Sequence, residues 1–341
     1  MEMGAVFQTI TLIGMFILIG ALLARTFPFN DDTRSLFINL IVNAAIPAII
    51  LSSIFNVEMT PERFRLIALV FVISIVINLF GMGLGYLFSF TFYRQAQNKN
   101  ELAILSGLGN TGFIGIPLCA VLFGPEGALY AAIFDAGVDF TIWTFGVFLL
   151  QKEKKFRFGM LKEMINIPMI AIVLGLTAAF FHVKPPVIFV ELFDYLAALA
   201  APLAMFYIGT IIMNISRSRV SSATRQMWIP ILVKLFIVPI SVAFFVLYIQ
   251  AEVLVIQTIL IQSMMPTITL ASILFAKFSA DEEMGAMTTV VSTLIALLTI
   301  PLMIYIVNII VPMWHILINL DSLDDRFIFF VKIFVGLAWY H

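Results

Sequence analysis

GLGNTGFIGIP, residues 107–117, sets an Asn-Thr pair among four glycines and a closing proline, inside an apolar stretch long enough to cross a bilayer. Inside a helix, Gly costs about 1 kcal/mol relative to Ala and Pro about 3 kcal/mol, so the spacing predicts a helix that breaks here. In hydrocarbon, backbone groups freed by a break must find partners in surrounding protein or in a water-filled cavity. A break at mid-membrane is characteristic of a transporter's binding site, and the rest of the chain is read from that point outward.

Composition agrees with a membrane protein. Apolar residues make up 62% of the 341 and charged residues 11%, with a mean hydropathy of +1.09, against about 45–50% and 25% in soluble domains. The net charge of −1 says nothing about nucleic acid, but no basic run is long enough to bind it, and no nucleic-acid partner is expected. Cys119 is the one cysteine, so no internal disulfide and no cysteine cage is expected. His182, His315 and His341 lie far apart without ligand spacing, and no metal is expected. The chain opens MEMGA with no positive region before its apolar stretch, which argues against a cleaved signal.

A spanning helix needs roughly 20 apolar residues. Ten stretches qualify: 5–24, 35–55, 66–93, 102–123, 127–150, 165–181, 188–215, 228–249, 253–276 and 284–311. The fold class expected is an all-α polytopic membrane protein. Its tail, 312–341, holds a further apolar segment, 327–340, read as a helix lying at the interface because Trp339 and Tyr340 favour that zone. With the N-terminus outside, thirteen Lys and Arg fall in inside loops and five in outside loops and tail, leaving Lys234 within a span. Such a bias follows the positive-inside rule and places both termini of a multi-pass cell-membrane protein outside.

Sliding the chain by 155 residues overlays two halves without a gap. Gly20 then meets Gly175, Pro47 meets Pro202, Tyr93 meets Tyr248 and Thr144 meets Thr299. The expected organisation is a first five-helix repeat over 1–150, a cytoplasmic linker over 151–164 and a second repeat over 165–311. Five spans is an odd number, so the second repeat enters inverted, as in many secondary transporters. The overlay sets Asn110, Thr111 and Gly112 against Met265, Pro266 and Thr267. The fourth and ninth spans are thus both broken, and these six residues form the expected substrate site. Half-helix N-termini there would present a positive dipole end to an anion.

Asp135 and Asp139 lie in the fifth span, about 12 and 18 Å inward from Gly127 at 1.5 Å per residue. Four residues apart, they share one helix face, and carboxylates at that depth are read as carriers of a coupling H⁺ or Na⁺. Lys234, about 9 Å into the eighth span, is a candidate charge partner, a snorkelling cation or a neutraliser of substrate. Asn43, Asn78, Gln262 and Ser263 are further polar positions that either line a cavity or bond a neighbouring helix. An intramembrane aspartyl protease is disfavoured, because its two aspartates must face each other whereas these point the same way; no enzymatic activity is expected.

NTGFIGIP in the fourth span, NAAIPAIILSSIF in the second, APLAMFYIG in the seventh, KLFIVP in the eighth and MMP in the ninth together resemble the auxin efflux carrier family over residues 5–311. The resemblance implies two inverted five-helix repeats and a substrate site at crossing broken helices, carried to Asn110, Thr111 and Pro266. Plant members have proline before that Asn, where Gly109 stands here, and a long loop between halves. The resemblance therefore implies a bacterial-type permease for a small organic anion such as malate or malonate. A cation/proton antiporter of related fold is the alternative. No cofactor is expected beyond the coupling ion; the partners expected are substrate and lipid bilayer, with a homodimer left open. If both termini lie outside, cysteines placed at position 2 and in the tail will both label with an impermeant maleimide in intact cells. Labelling at one end alone would mean an odd span count and remove the inverted repeat.

Overall fold

A computed structural model describes residues 3–28, 30–151, 165–213 and 225–311. The linker 151–164, Gln151 apart, and the tail 312–341 with its expected interfacial helix lie outside the described residues. Helices follow one another as α1 (Met3–Leu23), α2 (31–56), α3 (Pro61–Phe92), α4 (Lys99–Gly107), α5 (111–123), α6 (125–150), α7 (Ile167–Phe180), α8 (Val187–Ala198), α9 (Ala200–Met213), α10 (225–248), α11 (Val253–Ser263), α12 (Ala271–Lys277) and α13 (Glu282–Ile310). No sheet occurs among the described residues; one isolated antiparallel bridge joins Gly109 and Thr267. Among the described residues, six helical runs are long and apolar enough to cross a bilayer: 32–56, 61–92, 111–150, 187–211, 225–248 and 282–307. Ile167–Phe180 and Val253–Ser263 are shorter apolar helices. The chain is an all-helical polytopic membrane protein.

Local chemistry explains the starts and kinks. Asn30, Thr60, Asn166 and Asp281 cap α2, α3, α7 and α13, each accepting a backbone N–H three residues on. Wide turns at Ile41–Ala45, Thr111–Gly115 and Val233–Ile237 each stand immediately before a residue and a proline: Pro47, Pro117 and Pro239. Proline offers no N–H, and its ring clashes with the carbonyl four residues back; a widened turn relieves that clash without ending the helix. As one straight helix, 111–150 would be about 60 Å long, twice the hydrocarbon thickness. Gly124, at φ 69° and ψ −159°, divides it ahead of Pro125. A Cβ on Gly127 would lie 2.9 Å from the Cys119 carbonyl oxygen, so the chain folds back there.

Packing follows small residues, as it must where lipid tails give helices no hydrophobic reason to associate. α1 lies directly on α9: a Cβ on Gly20 would overlap the Phe206 backbone, and one on Gly209 would overlap backbone atoms of Ile17 and Ala21. α7 lies on α2, where a Cβ on Gly175 would come to 2.6 Å from Ile54 and 3.2 Å from Leu51. Gly20→Ala forces the two backbones apart, and overpacking of this kind costs about 1–3 kcal/mol. Thermal unfolding in detergent should show the loss for Gly20→Ala but not for Gly14→Ala on the same helix, since nothing lies within 4 Å of a Cβ at Gly14. Equal melting of the two variants would mean the α1–α9 contact is not close-packed.

Candidate functional site

Both expected breaks are present. The chain leaves helical form for three residues, 108–110, between α4 and α5, and for seven, 264–270, between α11 and α12. The breaks meet. Asn110 N–H donates to the Pro266 carbonyl at 2.8 Å, and Ile268 N–H donates to the Leu108 carbonyl at 3.1 Å. Between these bonds Gly109 faces Thr267. The crossing is therefore centred at an offset of 267 minus 109, or 158, where the gapless overlay of the halves used 155. The second break is longer than the first, so an overlay without gaps slips by three residues there and sets Gly112, not Gly109, against Thr267.

Much of the freed backbone is bonded from within the protein. Leu108 N–H still reaches Ile104, and the Asn110 carbonyl takes the N–H groups of Ile114 and Gly115 at 3.3 Å. On the other strand, Thr267 N–H donates to Ser292 Oγ at 3.2 Å and the Ile268 carbonyl accepts from Thr289 Oγ1 at 2.8 Å. Thr267 Oγ1 and Ser292 Oγ share a further bond at 2.8 Å. Pro266, with no N–H, leaves one fewer donor to satisfy. An unsatisfied backbone group in a medium that cannot hydrogen-bond costs several kcal/mol. α13 supplies what the crossing itself does not.

Of the three expected charges, Asp135 and Lys234 sit at opposite ends of the broken helices. Asp135 caps α5 from outside: the Thr111 hydroxyl donates to its Oδ1, and the Gly112 N–H also bonds its carboxylate. A Cβ on Gly112 would fall on that carboxylate, which explains the glycine. One turn further, Asp139 accepts from the Asn166 amide at 2.8 Å, and Asn166 is itself the cap of α7. Both aspartates are half-buried. Lys234, on the wide turn of α10, is 1% exposed and donates to the Ser263 carbonyl, the last of α11, at 3.4 Å. A Cβ on Gly109 would stand 2.9 Å from Lys234 Cε and 3.0 Å from Nζ. The ammonium thus lies beside both chains where α4 and α11 end, at the negative end of their dipoles. Lys234 pairs with neither aspartate among the described residues, which corrects its expected role as their charge partner. It does not snorkel either, being enclosed.

Each residue expected to hold substrate already has a protein partner. Asn110 Nδ2 donates to Thr269 Oγ1 across the crossing, Thr111 bonds Asp135, and Thr267 bonds Ser292. Met265 is wholly buried over Gly109. Sequence reading missed Asn166, Thr269, Thr289 and Ser292. The last two had a signal, a stripe of Thr288, Thr289, Ser292 and Thr293 at helical spacing in an otherwise apolar helix. Gln262 bonds a neighbouring helix at the Ala131 carbonyl, one of the two expected alternatives, whereas Asn43, Asn78 and Ser263 bond Asn39, Ser74 and Leu260 within their own helices. Beside the crossing, an apolar pocket runs between α1, α5, α9 and α13, touching Ile114, Pro266 and Thr293.

A polytopic helical membrane protein with two broken helices joined backbone to backbone is built as transporters are. The comparisons agree. A family model described as "membrane transport protein" matches residues 5–304. The chain belongs to this family, the auxin efflux carrier-like family that its motifs resemble. It is similar to a protein of Methanothermobacter thermautotrophicus described as an uncharacterized transporter, 23% identical over 297 residues, which are 86% of this chain and 96% of that one. A second protein so described, from Methanocaldococcus jannaschii, is 24% identical over 279 residues, 80% of this chain and 89% of the relative.

If Lys234 fills the place of a side chain at 109, Gly109→Ala displaces the ammonium and lowers thermal stability by about 1 kcal/mol or more. Lys234→Met in the same chain should recover part of that loss, a coupling read from a double-mutant cycle of melting in detergent. Strictly additive losses would show that the two positions do not share this space.

Proposed function

We propose that this protein is a secondary transporter of a small organic anion, a carboxylate such as malate or malonate, working by alternating access and coupled to H⁺ or Na⁺. The observation that carries the reading is the antiparallel crossing of Leu108–Asn110 with Pro266–Ile268. Two interrupted helices linked by only two backbone bonds form a joint that a substrate can reorganise. Each such bond contributes about 0.5–1.5 kcal/mol net, less than the differential binding a tightly held anion can supply.

The ten-span inverted repeat is part of this proposal. Under the 155-residue offset, Gly20 becomes Gly175 and Leu51 becomes Phe206. The contact of Gly20 with Phe206 thereby becomes that of Gly175 with Leu51, and both are made. The first helix of each half rests on the second helix of the other, as a two-fold axis in the membrane plane requires. In the cell membrane, with both termini outward, the break would lie near mid-depth. The half-helix N-terminus of α5, the Asn110 amide and the hydroxyls of Thr111 and Thr267 would then meet the carboxylate. Cation/proton antiport is the competing reading, favoured by the Asp135–Asp139 pair; flux of radiolabelled malate against radiolabelled sodium in proteoliposomes separates the two.

Asn110→Ala and Pro266→Ala should both impair uptake with unchanged insertion, and in different ways. Asn110→Ala removes a polar partner, so the carboxylate concentration for half-maximal uptake rises roughly tenfold to a hundredfold, the worth of one charge-assisted bond. Pro266→Ala restores an N–H and favours continuous helix, so the maximal rate falls instead. Wild-type uptake kinetics in both variants would reduce the breaks to packing features.

A further inference from the structure

Asp135 does more than sit near the crossing. Its carboxylate occupies the place at the start of α5 where an anionic substrate would be expected, taking the Thr111 hydroxyl and the Gly112 N–H. A helix N-terminus attracts one carboxylate as readily as another, and two side by side repel strongly away from water. The geometry points to Asp135 as an internal stand-in for the substrate's carboxylate: substrate binds α5 only by displacing Asp135, and the displaced group takes up one proton. This rests on the anion-transport reading above and deepens it by naming the coupling ion and its carrier. The balance is simple. One carboxylate arrives, one H⁺ joins a side-chain oxygen of Asp135 to give a neutral acid, and the local charge is unchanged when the substrate carries one negative charge. Release on the other side reverses both steps, giving symport of one H⁺ per carboxylate held.

Among the described residues, no cation bonds Asp135, whose partners are Thr111 and Gly112. α1, α7, α9 and α11 contain no charged residue, and those of α2 and α3 are confined to their first turns. α5 contributes Thr111, Gly112 and the neutral thiol of Cys119; α9 contributes Tyr207, whose hydroxyl accepts from Arg34. Asp139, on the same helix, adds like charge and is bonded to Asn166. Lys234, the one cation of α10 in its wide turn, is committed to the far ends of the half-helices. Among the described residues, the charge beside Asp135 is that of Asp139.

The test uses full-length protein in liposomes loaded with a pH-reporting dye, with radiolabelled malonate and malate as probes. In the wild type, an acidic exterior should drive accumulation, and probe entry should acidify the lumen. Asp135→Asn should lose both effects. Its half-saturation for exchange of labelled against unlabelled malonate should stop varying with pH and become roughly tenfold tighter at alkaline pH, the competing charge-assisted bond being gone. Wild-type probe uptake with no proton movement, or uptake driven by Na⁺ at any pH, would overturn the inference while leaving the transport reading intact. Failure of every carboxylate to move would instead defeat the transport reading. Should Asp135→Asn not fold, the dye measurement on the wild type decides alone.

Discussion

Every backbone N–H and carbonyl within the hydrocarbon must have a partner, and the crossing at Gly109 and Thr267 is where this protein meets that demand by the least usual route. Neither break could persist alone. Asn110 needs the Pro266 carbonyl, Ile268 needs the Leu108 carbonyl, and α13 leans in with Thr289 and Ser292 to take what is left. The requirement propagates outward. α13 must pack close enough to reach the break, and Gly109 must lack a side chain so that Lys234 can lie beside it. The wide turn of α10 around Val233–Ile237 carries that lysine ahead of Pro239.

Charge is distributed by the same logic. Broken helices expose dipole ends inside a low-dielectric medium, and a compensating charge stands at two of them: Asp135 at the start of α5, Lys234 where α4 and α11 end. The opposite signs do not make an ion pair because each answers a different helix end. Their positions also explain why the charges break the repeat. Under the overlay Asp135 and Asp139 of the first half fall on Val290 and Leu294, and Lys234 of the second half falls on Leu79, so none of the three charges has a counterpart in the other half. A symmetric set would place two carboxylates at the N-terminal ends, with nothing nearby to offset their repulsion.

Much of this was legible in the residues themselves. GLGNTGFIGIP and MMP announced two interruptions, and both occur where expected. The apolar stretches became helices, and Asp135, Thr111 and Gly112 proved to share one locality. The overlay of halves maps the contact of Gly20 with Phe206 onto that of Gly175 with Leu51, whereas at the crossing it sets Gly112, not Gly109, against Thr267, because 264–270 is longer than 108–110 and residues outside helices carry no periodicity that would expose an insertion. The partner of Lys234 was left open by the sequence for a different reason. Its depth could be counted along α10, but which helix ends surround it depends on how α4, α10 and α11 meet.

The sequence by itself determined that the chain is helical, membrane-bound, interrupted at two places and sparing in its interior charges, because each of these follows from local propensity and from the cost of polar groups in hydrocarbon. Only the tertiary structure decided the partners: Asn110 with Thr269, Thr267 with Ser292, Asp139 with Asn166, and Asp135 with the open end of α5. Those pairs span 24 to 159 positions along the chain. No local preference selects among donors so far apart; the close packing of helices through small residues brings them together.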